Sequence, residues 1–442
     1  MNAAELPPSA RTPARPVLVV GGGVAGLVVA RRLALGGRSV TVLEASDRFG
    51  GQLDRHTVAG IELDAGAESF ATRGGAVAAL AGALRLGDDI VSPAALPAWL
   101  YRADGSSVPL PATSVLGIPA VPLAADVVAA IGRRAAFRAR LDALLPATFA
   151  ADSASLGELV RRRMGRGVAE GLVAPIVRGV HSRELDELPV DRAHPGLRQA
   201  LLREGSLARG VRKLRDRAPA GSLVAGIRGG VVRLVDELLV DVRHLGVELR
   251  TGALVTDVDA EGIRIGVERL PGEVVIAAPN VGGQSGPGRR VTLVTLVVDG
   301  AELAAAPRGT GVLVARGRSA QGTSVGARAL THVSAKWPWV AEIAGGRQVL
   351  RLSYDGDATD AAGAAHALLA QAERDAAALL GVPLGTRDDA AIRTWERAAP
   401  RTHAVDGMHL VGEAEGTGLA AVVDRAEAVA ERLFSAGSTP QV

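Results

Sequence analysis

The 442-residue chain has no cysteine, which excludes disulfides, thiolate metal sites and cysteine nucleophiles together. Aromatic residues make up only 2% of it, too few for the stacking platforms that hold single-stranded nucleic acid. Lysine is almost missing: Lys213 and Lys336 are the only two, so arginine carries the positive charge, and the formal balance is only +3. Such arginine use fits codon bias or contact with an anionic substrate, and net charge alone does not separate them. No charge-free run of about 18 apolar residues occurs, so no transmembrane helix is expected. Residues 1–16 carry Pro7, Pro8, Pro13 and Pro16 without an apolar core segment, and read as a flexible leader rather than a signal peptide. A cytoplasmic protein is expected, with peripheral membrane contact left open. The eight histidines show no metal spacing, so no metal is expected.

What is present is a large apolar fraction, 48%, enough for two or three packed units. The most informative stretch lies near the start. Val17 to Val20 is a β-branched run suited to a buried parallel strand. It is followed by Gly21, Gly22, Gly23, Val24, Ala25 and Gly26, where a strand would turn into a helix over 24–35. Gly21 permits the turn, Gly23 lets a diphosphate approach the backbone, and Gly26 lets helix and strand pack closely. The helix N-terminus then faces the phosphates. A second strand over 39–43 ends at Glu44, whose carboxylate suits ribose hydroxyls. The order strand, glycines, helix, strand, acid predicts a dinucleotide site.

Further along, proline-rich stretches at 93–97 and 109–122 predict loops or a domain crossing. Residues 123–217 read as mainly helical, with Ser155 capping a helix and Glu158 three residues on. Residues 247–279 return to short strands with a hairpin turn at Ala260-Glu261-Gly262. A helix is expected over 364–380, ended by Gly381 and Pro383, and a last one over about 419–434. Strands and helices alternate as in an α/β fold with α+β inserts. Gly322-Thr323-Ser324-Val325-Gly326 matches a nucleophile elbow, but no buried strand-to-helix elbow is predicted around it. Trp337 and Trp339 are expected in a core or a cleft wall.

After Glu44, the stretch Ala45-Ser46-Asp47-Arg48-Phe49-Gly50-Gly51 resembles the extended FAD fingerprint of the flavin amine oxidase superfamily. Asp64 to Phe70 resembles the turn that passes the flavin end there. Within the superfamily, several stretches resemble the oxygen-dependent porphyrinogen oxidases of bacterial heme synthesis. These are Glu68 to Arg73, Leu172 to His181, Ile227-Arg228-Gly229-Gly230-Val231, Lys336-Trp337-Pro338-Trp339, Trp395 and Gly412 to Val422.

The resemblance implies a Rossmann-like FAD domain from residues 17–70, 222–280 and 395–434. It implies a substrate domain from 71–122 and 281–394, and a helical subdomain over 123–221. FAD would lie against the glycine stretch, Glu44, Ala45, Arg48, Gly50, Gly51, Gly66, Ala67, Glu68, Ser69, Val255, Trp395, Gly412, Gly418 and Leu419. Arg73, Arg178 and His181 are candidate substrate contacts, with an ion pair the favoured reading of Arg178. No catalytic base is named. The implied activity is six-electron oxidation of a porphyrinogen, coproporphyrinogen III before protoporphyrinogen IX, with oxygen as acceptor. A flavin amine oxidase, a carotenoid desaturase and a non-catalytic binding module are the alternatives. The chain departs from the family in a short passage after Pro279 and an acidic motif over 412–419.

Overall fold

The computed structural model describes residues 15–216, 223–279, 281, 288–315, 325–356, 363–397, 407–412 and 418–437. Most of the leader, Gly322-Thr323-Ser324 of the elbow match and residues 413–417 of the last glycine motif lie outside the described residues.

Val17–Val20 is buried along its whole length, at 0–3% exposure, as a strand covered on both faces must be. It sits in the middle of a five-stranded sheet ordered Glu248–Arg250, Val40–Leu43, Val17–Val20, Glu273–Ile276, His409–Leu410. Every pairing in it is parallel. The strand period of two divides its side chains between two layers. Val17, Val19, Val40, Val42 and Val275 pack with the helices Val24–Leu35, Arg233–His244 and Leu419–Gly437. Leu18, Val20, Leu43, Val274 and Ile276 pack with Val255 and Ile263 of an antiparallel meander, Val255–Asp259, Gly262–Ile265 and Glu268–Pro271. The result is a helix, sheet and meander sandwich with the glycine turn at its upper edge.

A second, seven-stranded sheet runs in the order Thr386–Arg397, Arg289–Asp299, Gln348–Asp355, Ala329–His332, Gly311–Val314, Ala98–Tyr101, Ser107–Pro109. Helix Ala364–Leu380 covers it through Leu368, Ala372, Ala376, Leu379 and Leu380. Within the proline-rich stretch 109–122 the short pair Ser114–Val115 and Ile118–Pro119 interrupts the expected loop; the last two strands of the sheet lie between the two proline-rich stretches. They form one edge of the sheet, and Pro109 ends the outermost strand, where a missing N–H costs no ladder bond. Tryptophans 337 and 339 are 1% and 7% exposed, packed among Val58, Leu63, Val297 and Val349.

The helical block packs on the Gly311–Val314 and Ser107–Pro109 side of this second sheet, with Ala125–Arg140, Leu156–Met164, Leu197–Glu204 and Leu207–Asp216 as its longer helices. Ser155 caps the second of them, accepting from the backbone N–H of Glu158 at 3.1 Å. Arg163 is wholly buried and is matched there by Asp142, with an Nε to Oδ1 separation of 2.5 Å. The same carboxylate accepts from the N–H of Ala208 at 2.9 Å. A buried charge of this kind is tolerated only when paired and fully hydrogen-bonded.

Candidate active site

The glycine turn is shaped by contacts that no side chain could share. A Cβ on Gly21 would stand 2.7 Å from the Ala278 nitrogen, and one on Gly26 would stand 2.0 Å from the Gly21 carbonyl oxygen. Gly21 also needs φ +110°, a region closed to other residues. Gly22 is pressed against the Phe49 ring, 2.3 Å from where its Cβ would be. Gly23 differs: its Cβ would meet nothing nearer than 3.9 Å. Gly23 thus has room for a Cβ, with only the Gly51 backbone at contact distance, and it stays partly exposed.

Helix Val24–Leu35 begins at Gly23 with no side-chain cap and no acidic residue in its first turn. Its free N–H groups and positive dipole end are left for an anion. A Cβ on Gly412, at φ +104°, would stand 3.8 Å from the Ala25 methyl, and Gly418, at φ +87°, precedes helix Leu419–Gly437. The chain's last segment thus returns to the mouth of the same helix.

Glu44 closes the second strand, with its carboxylate turned back over the turn. One oxygen accepts from the Gly22 N–H at 2.8 Å, and the other from the N–H and hydroxyl of Ser46, both at 2.9 Å. An ionised carboxylate has about four acceptor positions, so one is left for a sugar hydroxyl. Ala45 is exposed beside it, and Val255 of the meander is buried in the same core cluster as Leu43. Gly50 and Gly51, at φ +111° and +58°, run past Gly23, and Gly50 donates to the Gly22 carbonyl at 2.9 Å. Arg48 folds over this loop. It donates to the carbonyl of Gly51 at 2.9 Å, pairs with Asp54 at 3.4 Å and lies 6.0 Å from the Trp395 ring centre.

At the other end of the groove, the turn 64–69 is fixed from several sides. A Cβ on Gly66 would strike the Gln52 carbonyl at 2.5 Å, and Trp395 donates its indole N–H to the Ala65 carbonyl at 3.0 Å. Ala67 is exposed, and Ser69 half-buried. Glu68 accepts from Lys336 Nζ at 2.7 Å and from Arg351 at 3.2 Å. Arg351 also donates to the carbonyls of Gly66 and Asp64. The two cations hold the Glu68 carboxyl below its ordinary range against burial, the largest influence, which acts the other way. Asp64 accepts from the N–H groups of Val231 and Val232 at 2.9 and 3.0 Å, and so caps the turn after Arg228-Gly229-Gly230. Sequence reading missed both the Glu68–Lys336–Arg351 cluster and the Asp64 cap. Only the acid-and-glycine composition of these turns signalled them.

The three candidate substrate contacts fall in different surroundings. Arg73 is exposed, without an ion pair among the described residues, near His194 of the helical block. Arg178 is 11% exposed at its side chain and pairs with Glu184 at 3.2 Å. Its carbonyl accepts from Arg328. His181 ends the wide helical turn Val177–His181.

Two buried groups near this site give it a pH dependence. Burial, then Arg351 and Arg393, push His56 from 6.5 down to about 4. The native state then binds protons less readily than the unfolded chain, so stability falls as pH drops from 6.5 towards 4. Burial pushes Asp64 the other way, from 3.8 up to about 6, which favours the native state as pH drops from 6 towards 4. His194 and His332 are also lowered by burial, and Glu68 and Asp186 are held low by their cation partners, so the lowered groups outnumber the raised Asp64, Asp375 and Glu427. The melting temperature should fall between pH 6.5 and 4, and His56→Gln should flatten that slope. Melting curves across this range check it; a protein that gains stability on acidification would contradict it.

The residues fit FAD: a glycine cradle open only at Gly23, an uncapped helix, a carboxylate at the ribose position and a second fixed turn at 64–69. Comparison with known proteins points the same way. A family model described as flavin containing amine oxidoreductase matches residues 24–282. A coproporphyrinogen III oxidase of Mycobacterium bovis is 30% identical over 412 residues, covering 88% of this chain and 87% of that protein. One from Propionibacterium freudenreichii subsp. freudenreichii is 27% identical over 299 residues, 60% of this chain and 57% of its own length. The chain thus spans little more than half of that relative. A solved structure from Exiguobacterium sp. 255-15, provisionally assigned as a protoporphyrinogen oxidase, matches with a TM-score of 0.77 at 21% identity, over 96% of this chain and 99% of that one. That last likeness is one of fold. The chain belongs to the flavin-containing amine oxidoreductase family, on its porphyrinogen oxidase branch, and its cofactor is FAD.

Proposed function

We propose that the protein oxidises a porphyrinogen to its porphyrin, with coproporphyrinogen III as the preferred substrate, protoporphyrinogen IX as the alternative and oxygen as the final electron acceptor. One observation carries the choice of substrate class: Lys336 and Arg351 already balance Glu68 and Asp64 at the flavin end, which leaves Arg73 as a surplus cation. Glu68 is bracketed by both Lys336 and Arg351, and Arg73 is exposed nearby in sequence with no described counter-charge. A unit charge about 8 Å away at an effective dielectric near 20 is worth roughly 2 kcal/mol. That surplus repels an ammonium substrate and attracts a macrocycle with carboxylates at its rim.

When bound, FAD supplies two-electron redox chemistry. The chain supplies the rest. Glu44 and the open face of Gly23 hold the adenosine and diphosphate end. Trp395, Arg351 and the 64–69 turn fix the wall at the other end. Arg73, between that turn and the helical block, is the proposed clamp for a rim carboxylate, whereas Arg178, already matched by Glu184, serves as an anchor for the block. Six electrons and six protons leave the porphyrinogen in three rounds, and each round converts one oxygen molecule to hydrogen peroxide.

FAD-loaded protein given coproporphyrinogen III, protoporphyrinogen IX or putrescine in air tests this. Porphyrin fluorescence should rise fastest with coproporphyrinogen III. Arg73→Ala should raise KM about tenfold through the lost charge-assisted bond, with kcat within about twofold. Turnover of the amine without a porphyrin signal would reject the reading.

A further inference from the structure

We propose that the cavity between the loop 47–55 and helix Arg233–His244 binds a small zwitterion with an apolar side group, of the amino-acid class, and that its occupancy tightens the hold on FAD. The assignment stands whichever substrate the flavin oxidises. The cavity has a volume of about 500 Å³, within the range of small-molecule sites. Its floor is apolar, made by Phe49, Leu53, Val235, Leu239 and Leu249. Leu53 and Val235 are buried, and the other three are half-buried. Residues 21–26, Glu44 and Gly51 do not line it, so it is separate from the space beside Gly23.

The rim is charged, and most of its charges are matched. Arg48 pairs with Asp54 at 3.4 Å, and Arg55 pairs with Asp236 and Glu62. Two groups are left over. Arg243, in the last turn of its helix, and Asp47, at the start of the loop, are both exposed, and neither has an ion pair among the described residues. Thr251 adds a hydroxyl to the same rim. A ligand that satisfies this rim carries a carboxylate for Arg243 and an ammonium for Asp47, with an aryl or alkyl group for the floor. A simple anion would leave Asp47 facing like charge, and a simple amine would do the same to Arg243.

Phe49 joins the cavity to the glycine turn. Its ring lines the cavity and stands 2.3 Å from where a Cβ on Gly22 would be, while the Gly22 N–H donates to Glu44 at 2.8 Å. Gly50 donates to the Gly22 carbonyl at 2.9 Å, and a Cβ on it would meet Val235 at 3.2 Å. Groups packed this closely pass on a displacement rather than absorb it. A ligand resting on Phe49 and Val235 therefore holds the 47–51 loop in the position that presents Glu44 to the ribose. By linkage, FAD and the ligand raise each other's affinity by the same factor.

Anaerobic calorimetric titration of the FAD-loaded protein tests the proposal with three probes: L-phenylalanine, 3-phenylpropionate, which lacks the ammonium, and 2-phenylethylamine, which lacks the carboxylate. L-phenylalanine should bind at least about tenfold more tightly than either. Arg243→Gln should erase its advantage over 2-phenylethylamine, and Asp47→Asn its advantage over 3-phenylpropionate. Both residues are exposed, so both variants should keep the wild-type melting temperature. Leu239→Gln should weaken all three probes about fivefold or more. Saturating L-phenylalanine should lower the Kd for FAD about fivefold or more, and Phe49→Leu should bring that factor close to one. Equal affinity for the three probes, binding of none, an advantage that survives both Arg243→Gln and Asp47→Asn, or an FAD affinity that ignores L-phenylalanine would overturn it.

Discussion

Glu44→Arg is expected to strip the protein of its flavin. The wild-type carboxylate holds the Gly22 N–H and both donors of Ser46, and its remaining acceptor position faces the groove. Arginine accepts nothing, so the ribose loses its partner and the turn loses its clasp. Charge-assisted hydrogen bonds contribute about 1.5–3 kcal/mol each. Losing the one to the sugar lowers FAD affinity by roughly ten- to a hundredfold, before any loosening of the 45–51 loop. Flavin absorbance per chain after gel filtration should fall from near one to below about one tenth. Glu44→Gln, which keeps one acceptor, should fall between. Unchanged flavin content in the arginine variant would remove the ribose from Glu44.

A second large effect separates two neighbouring glycines. In Gly26→Ala the new methyl would stand 2.0 Å from the Gly21 carbonyl and 3.1 Å from Val19. The obstacle is backbone, so the helix must lift from the strand it packs on. A cost of roughly 3 kcal/mol or more is expected, seen as a melting temperature lowered by about 3 °C or more. Gly23→Ala meets nothing within 3.4 Å, and Gly23 has φ −72°, open to any residue. That variant should melt like the wild type yet bind FAD about a hundredfold more weakly, because its methyl enters the space the diphosphate needs. Gly23→Ala with full flavin, or Gly26→Ala with normal stability, would place the phosphates elsewhere.

The fingerprint was legible because its parts are contiguous. Val17–Val20 and Val24–Leu35 form as expected, since burial, glycine spacing and helix period all act within about 20 residues. Helix Ala364–Leu380, closed by Gly381 at φ +73°, was legible for the same reason. What escaped depends on contacts between distant residues. Lys336 is 268 positions from Glu68, and Arg351 is 283, so no local pattern ties them together. Strand Ala98–Tyr101 was hidden among prolines because its parallel partner, Gly311–Val314, lies more than two hundred residues downstream. Arg178 illustrates the middle ground. Its pairing with Glu184, only six positions on, was anticipated as an ion pair, but its burial between the helical block and the large sheet came only from the folded chain.

The central claim is that the groove beside Gly23 holds an FAD that meets a porphyrinogen at the 64–69 turn. An anaerobic titration of FAD-loaded protein with coproporphyrinogen III tests both halves together. The flavin absorbance should bleach as porphyrin fluorescence grows, with one porphyrin formed for every three flavins reduced. A flavin that stays oxidised through a full excess of coproporphyrinogen III would contradict it.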